Sequence, residues 1–473
     1  MAKLDFYHYL KTLFSISLVA ILYCSVFVQS SNQDLEGFTR WLNDHGSKFR
    51  CDFVGKSEGN VLKEVEVQAD RRIHDGESVF MVPQSLLINS TVVDSSPLGP
   101  SLDLVSLTEP IISHEKDLEK QNILHIAQLS LFILYGVHTK DEMWLPYFKL
   151  LMMKERNCDV LWMWNDNELE ELEDIALMKR VQKWREEIHM LATNIAPKLQ
   201  AMGVFTSEIQ EDDIKNAMCI AQSSSFNITS ASGQPVRTLI PGLNFFRMNP
   251  TVKSSWWVKD GVLRYRYNKN PIEKGDQVFV NLSPSGDSTQ TLFEYGVFVV
   301  DGSKFLIHLR EPNSRLRRRF MAHLKIRKKM KLTEKFFFRL AGLPYFRVQA
   351  LSELQIENLM KDVAENQTRL LEVKEAISSY TIHSKNVPDF SCKDEVVALN
   401  TMAVHFRDML SEKSSSISED EKLITKSTNF NRLSLAIAYR LRFKKLVTNA
   451  LDMTSASSVE TKRECLSQPK DEL

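Results

Sequence analysis

The side chains best suited to metal binding or nucleophilic chemistry match no common motif in this chain. Eleven histidines and six cysteines are scattered over 473 residues, whereas zinc sites need such residues at close, regular spacing. His125 and His405 lie in apolar helical stretches, where core histidines are commoner than ligands. The sequence also contains no glycine-rich phosphate-binding loop and no nucleophile elbow. We therefore predict no metal site and no nucleotide-dependent or serine-hydrolase reaction.

Both ends of the chain predict residence in the lumen of the endoplasmic reticulum. Residues 12–28 form an uncharged, mostly apolar run, which is typical of a secretory signal peptide, here assigned to residues 1–30. A retained membrane anchor and a cytosolic core helix are the alternatives for this run. The chain ends in a retrieval signal that the KDEL receptor reads. Its residues are Lys470, Asp471, Glu472 and Leu473.

Luminal residence would give meaning to four Asn-x-Ser/Thr sequons, because glycosylation occurs in that compartment. The candidate glycosylation sites are Asn89, Asn227, Asn281 and Asn366. Signal cleavage would remove Cys24 and leave five cysteines, so at least one thiol is expected to be free or to pair between chains. It would also leave no stable membrane span.

The overall composition indicates an ordinary globular chain. Sixty Lys+Arg balance sixty Asp+Glu, and 43% of the residues are hydrophobic, which excludes collagen-like, disordered and generally basic nucleic-acid-binding chains. One segment departs from this balance, since residues 315–331 hold nine Lys/Arg. Leu316, Phe320 and Leu324 recur there at helical spacing, which predicts a helix with one buried stripe and a basic face. Such a face could attract acidic clients or an anionic membrane, and we predict no nucleic-acid partner in the lumen.

Helix and strand patterns alternate in long blocks. Residues 35–83 show short strands and turns, whereas residues 112–205 show helical periodicity. This second block includes one long charged helix over Asn167–Trp184, and we interpret its acidic residues 168–174 as a solvated first turn.

Strand patterns return over residues 237–300, and helical patterns follow His308. After the Ser-rich linker 411–416, a capping box at Ser418 predicts a helical tail that reaches Val447. We expect an α+β protein with a strand module, a helical insert and a helical C-terminal module.

This order of elements resembles the SET-domain family, in the branch that contains the RuBisCO large-subunit lysine methyltransferase and the actin-histidine methyltransferase. The resemblance covers nearly all of the mature chain. The segments that carry it are Arg71–Pro83, Trp144–Tyr147, Trp164 with Glu168, the helix from Phe205-Thr206 to Ser223–Phe226, Ile240-Pro241, Gly275–Phe279, Tyr295-Gly296 and residues 418–445.

The resemblance implies a SET-domain β-fold followed by an all-helical domain like the RuBisCO methyltransferase substrate-binding domain. The expected divisions are a signal peptide over residues 1–30, a SET-like domain over 31–310 with its helical insert at about 110–235, a helical domain over 311–450, and a flexible tail over 451–473.

The resemblance also implies a reaction. In this family a lysine or histidine nitrogen takes the methyl group of S-adenosylmethionine, and catalysis is mostly positioning. A tyrosine hydroxyl orients the attacking amine. Tyr295 lies at the position of that catalytic tyrosine, at what we expect to be the end of a strand, and simple packing of a core aromatic residue is the alternative for it.

The cofactor-binding positions depart from the family pattern. The family's Gly-x-Gly, which lets bare backbone approach the cofactor, corresponds to Glu64 and Glu66. An arginine that could hold the cofactor carboxylate corresponds to Ser224. The remaining departures are at Asn244, Arg247, Met248 and Leu282.

Two hypotheses follow from these departures. The first is a pseudoenzyme without cofactor that binds a client protein or peptide, and the residues favour it. The alternative is an active luminal protein-lysine N-methyltransferase with a remodelled site that still uses S-adenosylmethionine. A pocket filled by Leu282, Met248 or Arg247 would indicate the binding module.

Overall fold

The computed structural model describes most of the chain between residues 31 and 467. The described residues are 31–58, 61–99, 118–153, 158–201, 203, 205, 208–229, 235–249, 252–267, 271–281, 287–334, 342–378, 391–426 and 431–467. The signal peptide, the retrieval signal and Leu282 lie outside them.

Helices and strands alternate in blocks. The helices are α1 (Asn32–Asp44), α2 (Ser90–Ser95), α3 (Leu118–Thr139), α4 (Leu145–Met152), α5 (Asp166–Glu170), α6 (Ile175–Ala201), α7 (Glu211–Ser224), α8 (Ser288–Tyr295), α9 (Arg315–His323), α10 (Leu343–Ala350), α11 (Glu353–Glu365), α12 (Gln367–Ser378), α13 (Cys392–Ser411), α14 (Ile417–Lys426) and α15 (Arg432–Ser467). The strands are β1 (Lys48–Phe49), β2 (Cys51–Glu58), β3 (Val61–Ala69), β4 (Ser78–Pro83), β5 (Ser225–Thr229), β6 (Pro235–Leu239), β7 (Arg247–Met248), β8 (Ser254–Lys259), β9 (Val262–Tyr267), β10 (Phe279–Val280), β11 (Phe305–His308) and β12 (Lys329–Leu332). Short 3-10 helices cover Gln84–Leu86, Leu161–Met163 and Leu243–Phe245.

The chain folds into two compact units. The first comprises Met1–Met163, Arg180–Leu282 and Glu294–Gly296, and the second comprises Trp164–Lys179, Ser283–Phe293 and Val297–Leu473, as far as these ranges are described. Among the described residues, no helix combines the length and the apolar character that crossing a bilayer requires.

The first unit contains the strands that position the candidate site. A four-stranded antiparallel sheet has the order β1-β4-β9-β8, and β2 pairs with β3 and β5 with β6 in antiparallel hairpins. The strands β7 and β10 pair in parallel, which sets Arg247 opposite Phe279. Aromatic side chains fill the core, where the Phe38 ring lies 6.0 Å from Tyr147 and 5.6 Å from Phe245 between centroids.

The second unit is mostly helical, with the antiparallel hairpin β11–β12. A disulfide joins Cys392, at the start of α13, to Cys465, near the end of α15. A second disulfide, in the first unit, joins Cys158 to Cys219, and Cys51 is a buried free thiol. One free thiol among these five cysteines agrees with the odd number expected after signal cleavage.

The expectation of strands and turns from residue 35 onward is wrong for the first segment, because residues 32–44 form α1. Ser31 caps this helix through a capping box with Asp34. Leu35, Phe38 and Trp41 then recur at helical spacing and are buried. A capping box, rather than the helix propensity of the residues, sets the start of α1. The apolar residues of so short a segment do not by themselves distinguish a helix from a strand.

The prediction of a single charged helix over Asn167–Trp184 is also wrong. The helices α5 and α6 are separate because Glu173 adopts a left-handed backbone conformation with φ of 50°. Nor is this acidic segment simply solvated. The Glu173 carboxylate accepts hydrogen bonds from the Ser414 and Ser415 hydroxyls at 2.7 and 2.6 Å and lies 2.9 Å from Lys444 Nζ. The two serines are about 240 residues away along the chain and Lys444 is farther still, so local patterns could not reveal them.

An ion cluster surrounds Glu173 in the second unit. Arg440 Nε and Lys444 Nζ each lie 2.8 Å from a carboxylate oxygen of Asp420, and Arg440 also pairs with Glu171. Asp420 is fully buried. We call Glu173, Asp420, Arg440 and Lys444 the Glu173 ion cluster.

Two further boundaries differ from expectation. The helix expected from Phe205-Thr206 begins only at Glu211, after a capping box at Gln210, and Thr206 lies outside the described residues. In the basic segment, Phe320 and Leu324 are buried as predicted. The helix ends at His323, because the chain turns at Lys325, where φ is 54°, and then enters β12.

The C-terminal helical tail is split and longer than expected. Ser416, rather than Ser418, caps α14, since its hydroxyl accepts a hydrogen bond from the Glu419 amide at 3.2 Å. The final helix α15 continues beyond Val447 to Ser467. The prediction of a flexible tail from residue 451 is therefore wrong as far as Ser467. Residues 468–473 lie outside the described residues, and the other domain boundaries stay predictions.

Candidate cofactor and substrate site

Three of the predicted cofactor positions lie together in the first unit. Glu64 and Glu66 alternate with buried Val65 along β3, so both carboxylates share the face opposite to the core. The Arg247 guanidinium reaches from β7, forms an ion pair with Glu64 and lies 3.4 Å from a Glu66 oxygen. Lys56 Nζ, on the paired strand β2, lies 2.6 Å from the same Glu66 oxygen. The cluster thus joins three strands through charge.

The charges in this cluster stabilise one another's ionised forms. A hydrogen bond from Lys56, supported by the charges of Lys56 and Arg247, lowers the pKa of Glu66 below its ordinary value. The hydrogen bond to Glu64 raises the pKa of Arg247. The Glu66 carboxylate is therefore ionised at neutral pH, and the guanidinium that could hold an incoming carboxylate already has two partners.

These residues do not fit S-adenosylmethionine in the way the resemblance implies. The cofactor would need bare backbone beside the start of the second strand, and here carboxylate side chains occupy that face with Arg247 lying across them. No other side chain can restore the missing space. The structure therefore provides no family-type cofactor surface at β3.

Tyr295 is the last residue of α8 and does not lie at the end of a strand as expected. Its hydroxyl donates to the Ser225 carbonyl at 3.5 Å. Burial, together with the neighbouring charge of Glu294, raises the pKa of the Tyr295 phenol well above its ordinary value. The phenol therefore stays protonated and acts as a hydrogen-bond donor at neutral pH.

Gly296 fixes the direction in which the chain leaves Tyr295. Its φ of +65° favours glycine, and a Cβ atom at this position would lie 2.2 Å from the Asp159 carbonyl oxygen. Glycine is therefore required directly after Tyr295, because the Asp159 backbone lies so close to position 296.

Arg237 is a central residue of this region that sequence reasoning missed. It is 1% exposed, and its guanidinium donates to Ser225 Oγ at 2.8 Å, to the Gln222 carbonyl at 2.7 Å and to Glu294 at 3.1 Å. It also lies 5.9 Å from the Tyr295 ring centroid. The only available signal was an arginine within an otherwise apolar strand, and its carboxylate partner is 57 residues away.

The other predicted positions lie on separate elements. Ser224 is buried at the end of α7. Asn244 is buried in a 3-10 helix, where its side-chain oxygen accepts a hydrogen bond from the Tyr147 hydroxyl at 3.3 Å. Met248 is half-buried on β7. Ser224 and Asn244 are thus buried polar residues of the core.

The sequon asparagines differ in accessibility. Asn227 and Asn366 are exposed. Asn89 is half-buried and caps α2. The Asn281 amide nitrogen, which a glycan would occupy, donates to the Val252 carbonyl at 3.2 Å.

His125 and His405 are half-buried, and burial lowers the pKa of each. Within the described parts of the chain, no group of three or more His, Cys, Asp or Glu side chains is placed to hold a metal ion.

Comparison with known proteins identifies the fold. Residues 310–447 match the family model of the Rubisco LSMT substrate-binding domain. Three solved structures are similar to this chain, and each alignment covers 91% of this chain and 93% of the solved chain. They are the SET domain of LSMT bound to lysine and AdoHcy, with a TM-score of 0.62 and 15% identity, and Rubisco LSMT bound to sinefungin and monomethyllysine, with a TM-score of 0.63 and 16% identity. The third is Rubisco LSMT bound to AdoMet, with a TM-score of 0.61 and 16% identity. No curated protein matches the chain by sequence.

These matches confirm the predicted fold class, an α+β SET fold followed by a helical substrate-binding-type region. Residues 310–447 are thus similar to the Rubisco LSMT substrate-binding domain, and the chain as a whole shares the fold of the LSMT SET-domain structures. The low identity means that the structural likeness establishes the fold, and activity must be argued from the site.

Proposed function

We propose that this protein is a luminal SET-fold protein that binds a client protein or peptide without transferring a methyl group. The observation that carries the proposal is Arg247, which lies across Glu64 and Glu66. Methyl transfer in this fold depends on placing the cofactor accurately beside the acceptor nitrogen. With charged side chains on the face where the cofactor would lie, that placement is lost, while the helical region that would bind a polypeptide is retained.

A luminal protein-lysine N-methyltransferase is the second candidate, and Tyr295 favours it. The phenol is protonated and belongs to an ordered group with Arg237, Glu294 and Ser225. Such a donor could orient an acceptor amine if S-adenosylmethionine bound in a different manner.

The luminal location is part of the proposal. The apolar leader and the terminal retrieval signal support it, and so do the two disulfides, Cys158–Cys219 and Cys392–Cys465, since disulfides persist in oxidising compartments. In the lumen we expect the KDEL receptor to be a partner.

Binding and methyl transfer can be measured in one experiment. The purified protein is incubated with an immobilised random library of lysine-containing 15-residue peptides, with and without tritiated S-adenosylmethionine. We expect the protein to be retained equally on the peptides in both conditions, with no tritium incorporated into the peptides above the background of a Tyr295→Phe variant. Tritium incorporation that Tyr295→Phe abolishes would establish the methyltransferase instead. Absence of both retention and tritium would contradict the binding function.

A further inference from the structure

Exposed basic residues follow one another along α9, the turn after it and the start of β12 in the second unit. Residues 315–332 contain nine Lys/Arg and no Asp or Glu. The inner side of α9 is buried through Phe320 and Met321, and Leu324 follows as a buried cap. The opposite face repeats at the spacing of one helix face, and its exposed residues are Arg315, Arg318, Arg319, Ala322 and His323. We call this face, with exposed Lys325, Arg327 and Lys329, the α9 basic surface.

Most of these cations have no carboxylate partner. In the segment, Arg317 pairs with Glu353 at 3.8 Å and Lys328 pairs with Glu311. Within the described part of the chain, no acidic side chain forms an ion pair with Arg315 or Arg319. The charge of the surface is therefore available to a ligand.

The position of these arginines is unfavourable for the helix itself. The first turn of α9 contains Arg315, Arg317 and Arg318 and no acidic residue, although the positive end of the helix dipole favours acidic residues there. The Ser314 cap, which accepts from the Arg317 amide at 3.4 Å, and the Arg317–Glu353 ion pair offset part of this cost. An unfavourable charge that the fold offsets only in part is expected at a functional surface.

We propose that the α9 basic surface binds an acidic segment of a partner polypeptide. Arginine guanidinium groups form paired hydrogen bonds with carboxylates, and exposed cations spaced along one face suit an extended run of Asp or Glu. The surface lacks what other anionic partners use. No large apolar side chain is exposed over residues 315–332 to enter a bilayer, and Phe320, the aromatic residue of the helix, is buried and cannot stack on bases.

This inference rests on the proposed binding function and deepens it, because it names the chemistry of the bound segment. It involves neither Tyr295 nor the β3 cluster, so a protein that transfers methyl groups could use the same surface. Failure to bind the glutamate peptide would contradict this inference alone, whereas failure to bind any peptide would contradict the proposed function.

The test measures binding of a fluorescein-labelled ten-residue glutamate peptide to the full protein by fluorescence anisotropy. The variant R315Q/R318Q/R319Q removes three charges from the surface. Its matched control, K361Q/R407Q/R463Q, removes three exposed charges from other helices. We expect the surface variant to weaken binding about tenfold and the control to change it less than about twofold. Added salt should weaken binding to the unaltered protein.

Equal loss in both variants, or no dependence on salt, would overturn the proposal. So would tighter binding of a single-stranded oligonucleotide of equal charge, or of phosphatidylserine vesicles, than of the glutamate peptide. Circular dichroism of each variant verifies that α9 remains folded, and the salt titration of the unaltered protein needs no variant.

Discussion

At the scale of single residues, Gly296 determines how Tyr295 is presented. The chain turns sharply after α8, and the Asp159 carbonyl fills the space that any side chain at this position would need. A glycine after an aromatic residue is thus a positional requirement here.

Replacing Gly296 with Ala tests that requirement. Gly76→Ala is a matched control, since Gly76 also has a positive φ, of +78°, but nothing lies within 4 Å of an added Cβ. We expect G76A to lower the free energy of unfolding by about 1 kcal/mol and G296A by about 3 kcal/mol, because overlap adds to the backbone cost. Urea unfolding measures both. Equal losses would show that Asp159 moves aside freely.

Residues near one another in sequence were predictable at this scale, and distant partners were not. That Glu64 and Glu66 stand where the resemblance places a Gly-x-Gly could be seen from the sequence alone. The pairing of Arg247 with both carboxylates could not be predicted, because Arg247 and Glu64 are 183 residues apart along the chain. Arg237 had no recognisable partner until the fold placed Glu294 beside it.

At the scale of elements, the Glu173 ion cluster holds the segment between α5 and α6 against the C-terminal helices α14 and α15. Burial alone would raise the pKa of Glu173, but hydrogen bonds from Ser415, Lys444 and Ser414 lower it from 4.5 to about 2. The folded state thus binds the Glu173 proton more weakly than the unfolded state. This element contributes stability that is complete above about pH 4.5 and is lost as the pH falls through about 2.

Glu173→Gln should remove this contribution. The Glu173 side chain is 6% exposed, and breaking a buried ion pair costs about 3 kcal/mol. We expect E173Q to lower the free energy of unfolding at pH 7 by about that amount, and its stability to vary less between pH 4.5 and 2 than that of the unaltered protein. Glu170→Gln, at an exposed position of the same segment, should have little effect. Parallel pH dependence in the two variants would argue against this account.

The sequence predicted elements best where local signals agree. The strands β9 and β10, the basic helix α9 and the helical insert before β5 follow from periodicity and turn residues. Local signals did not predict the break before α6 or the contacts of the Ser-rich linker. Ser414 and Ser415 resemble a flexible connection but bind Glu173, so tertiary hydrogen bonds decide both features.

At the scale of the whole molecule, the order of elements carried the fold assignment although identity to the solved structures is only 15–16%. Buried positions tolerate many apolar substitutions when the pattern and the volume are retained, so the fold persists. The cofactor face has no such tolerance, because backbone must be bare there. The likeness to these structures therefore establishes the architecture, and the proposal that the cofactor face has changed is tested separately below.

Glycan occupancy tests the luminal location. We expect Asn227→Gln and Asn366→Gln each to remove the mass of one glycan, since both side chains are exposed. Asn281→Gln should remove none, because its amide nitrogen donates to the Val252 carbonyl in the fold. Mass measurement before and after peptide N-glycosidase reports all three. A chain without any glycan at Asn227 and Asn366 would count against the luminal proposal.

Direct binding of S-adenosylmethionine tests the central claim, that Arg247 with Glu64 and Glu66 has replaced the cofactor surface. Equilibrium dialysis of the purified protein against radiolabelled S-adenosylmethionine is the measurement, with Rubisco LSMT, which has been solved with AdoMet bound, as the positive control. We predict no saturable binding up to about 1 mM, which corresponds to a binding free energy weaker than about 4 kcal/mol. Saturable binding in the micromolar range would contradict the claim.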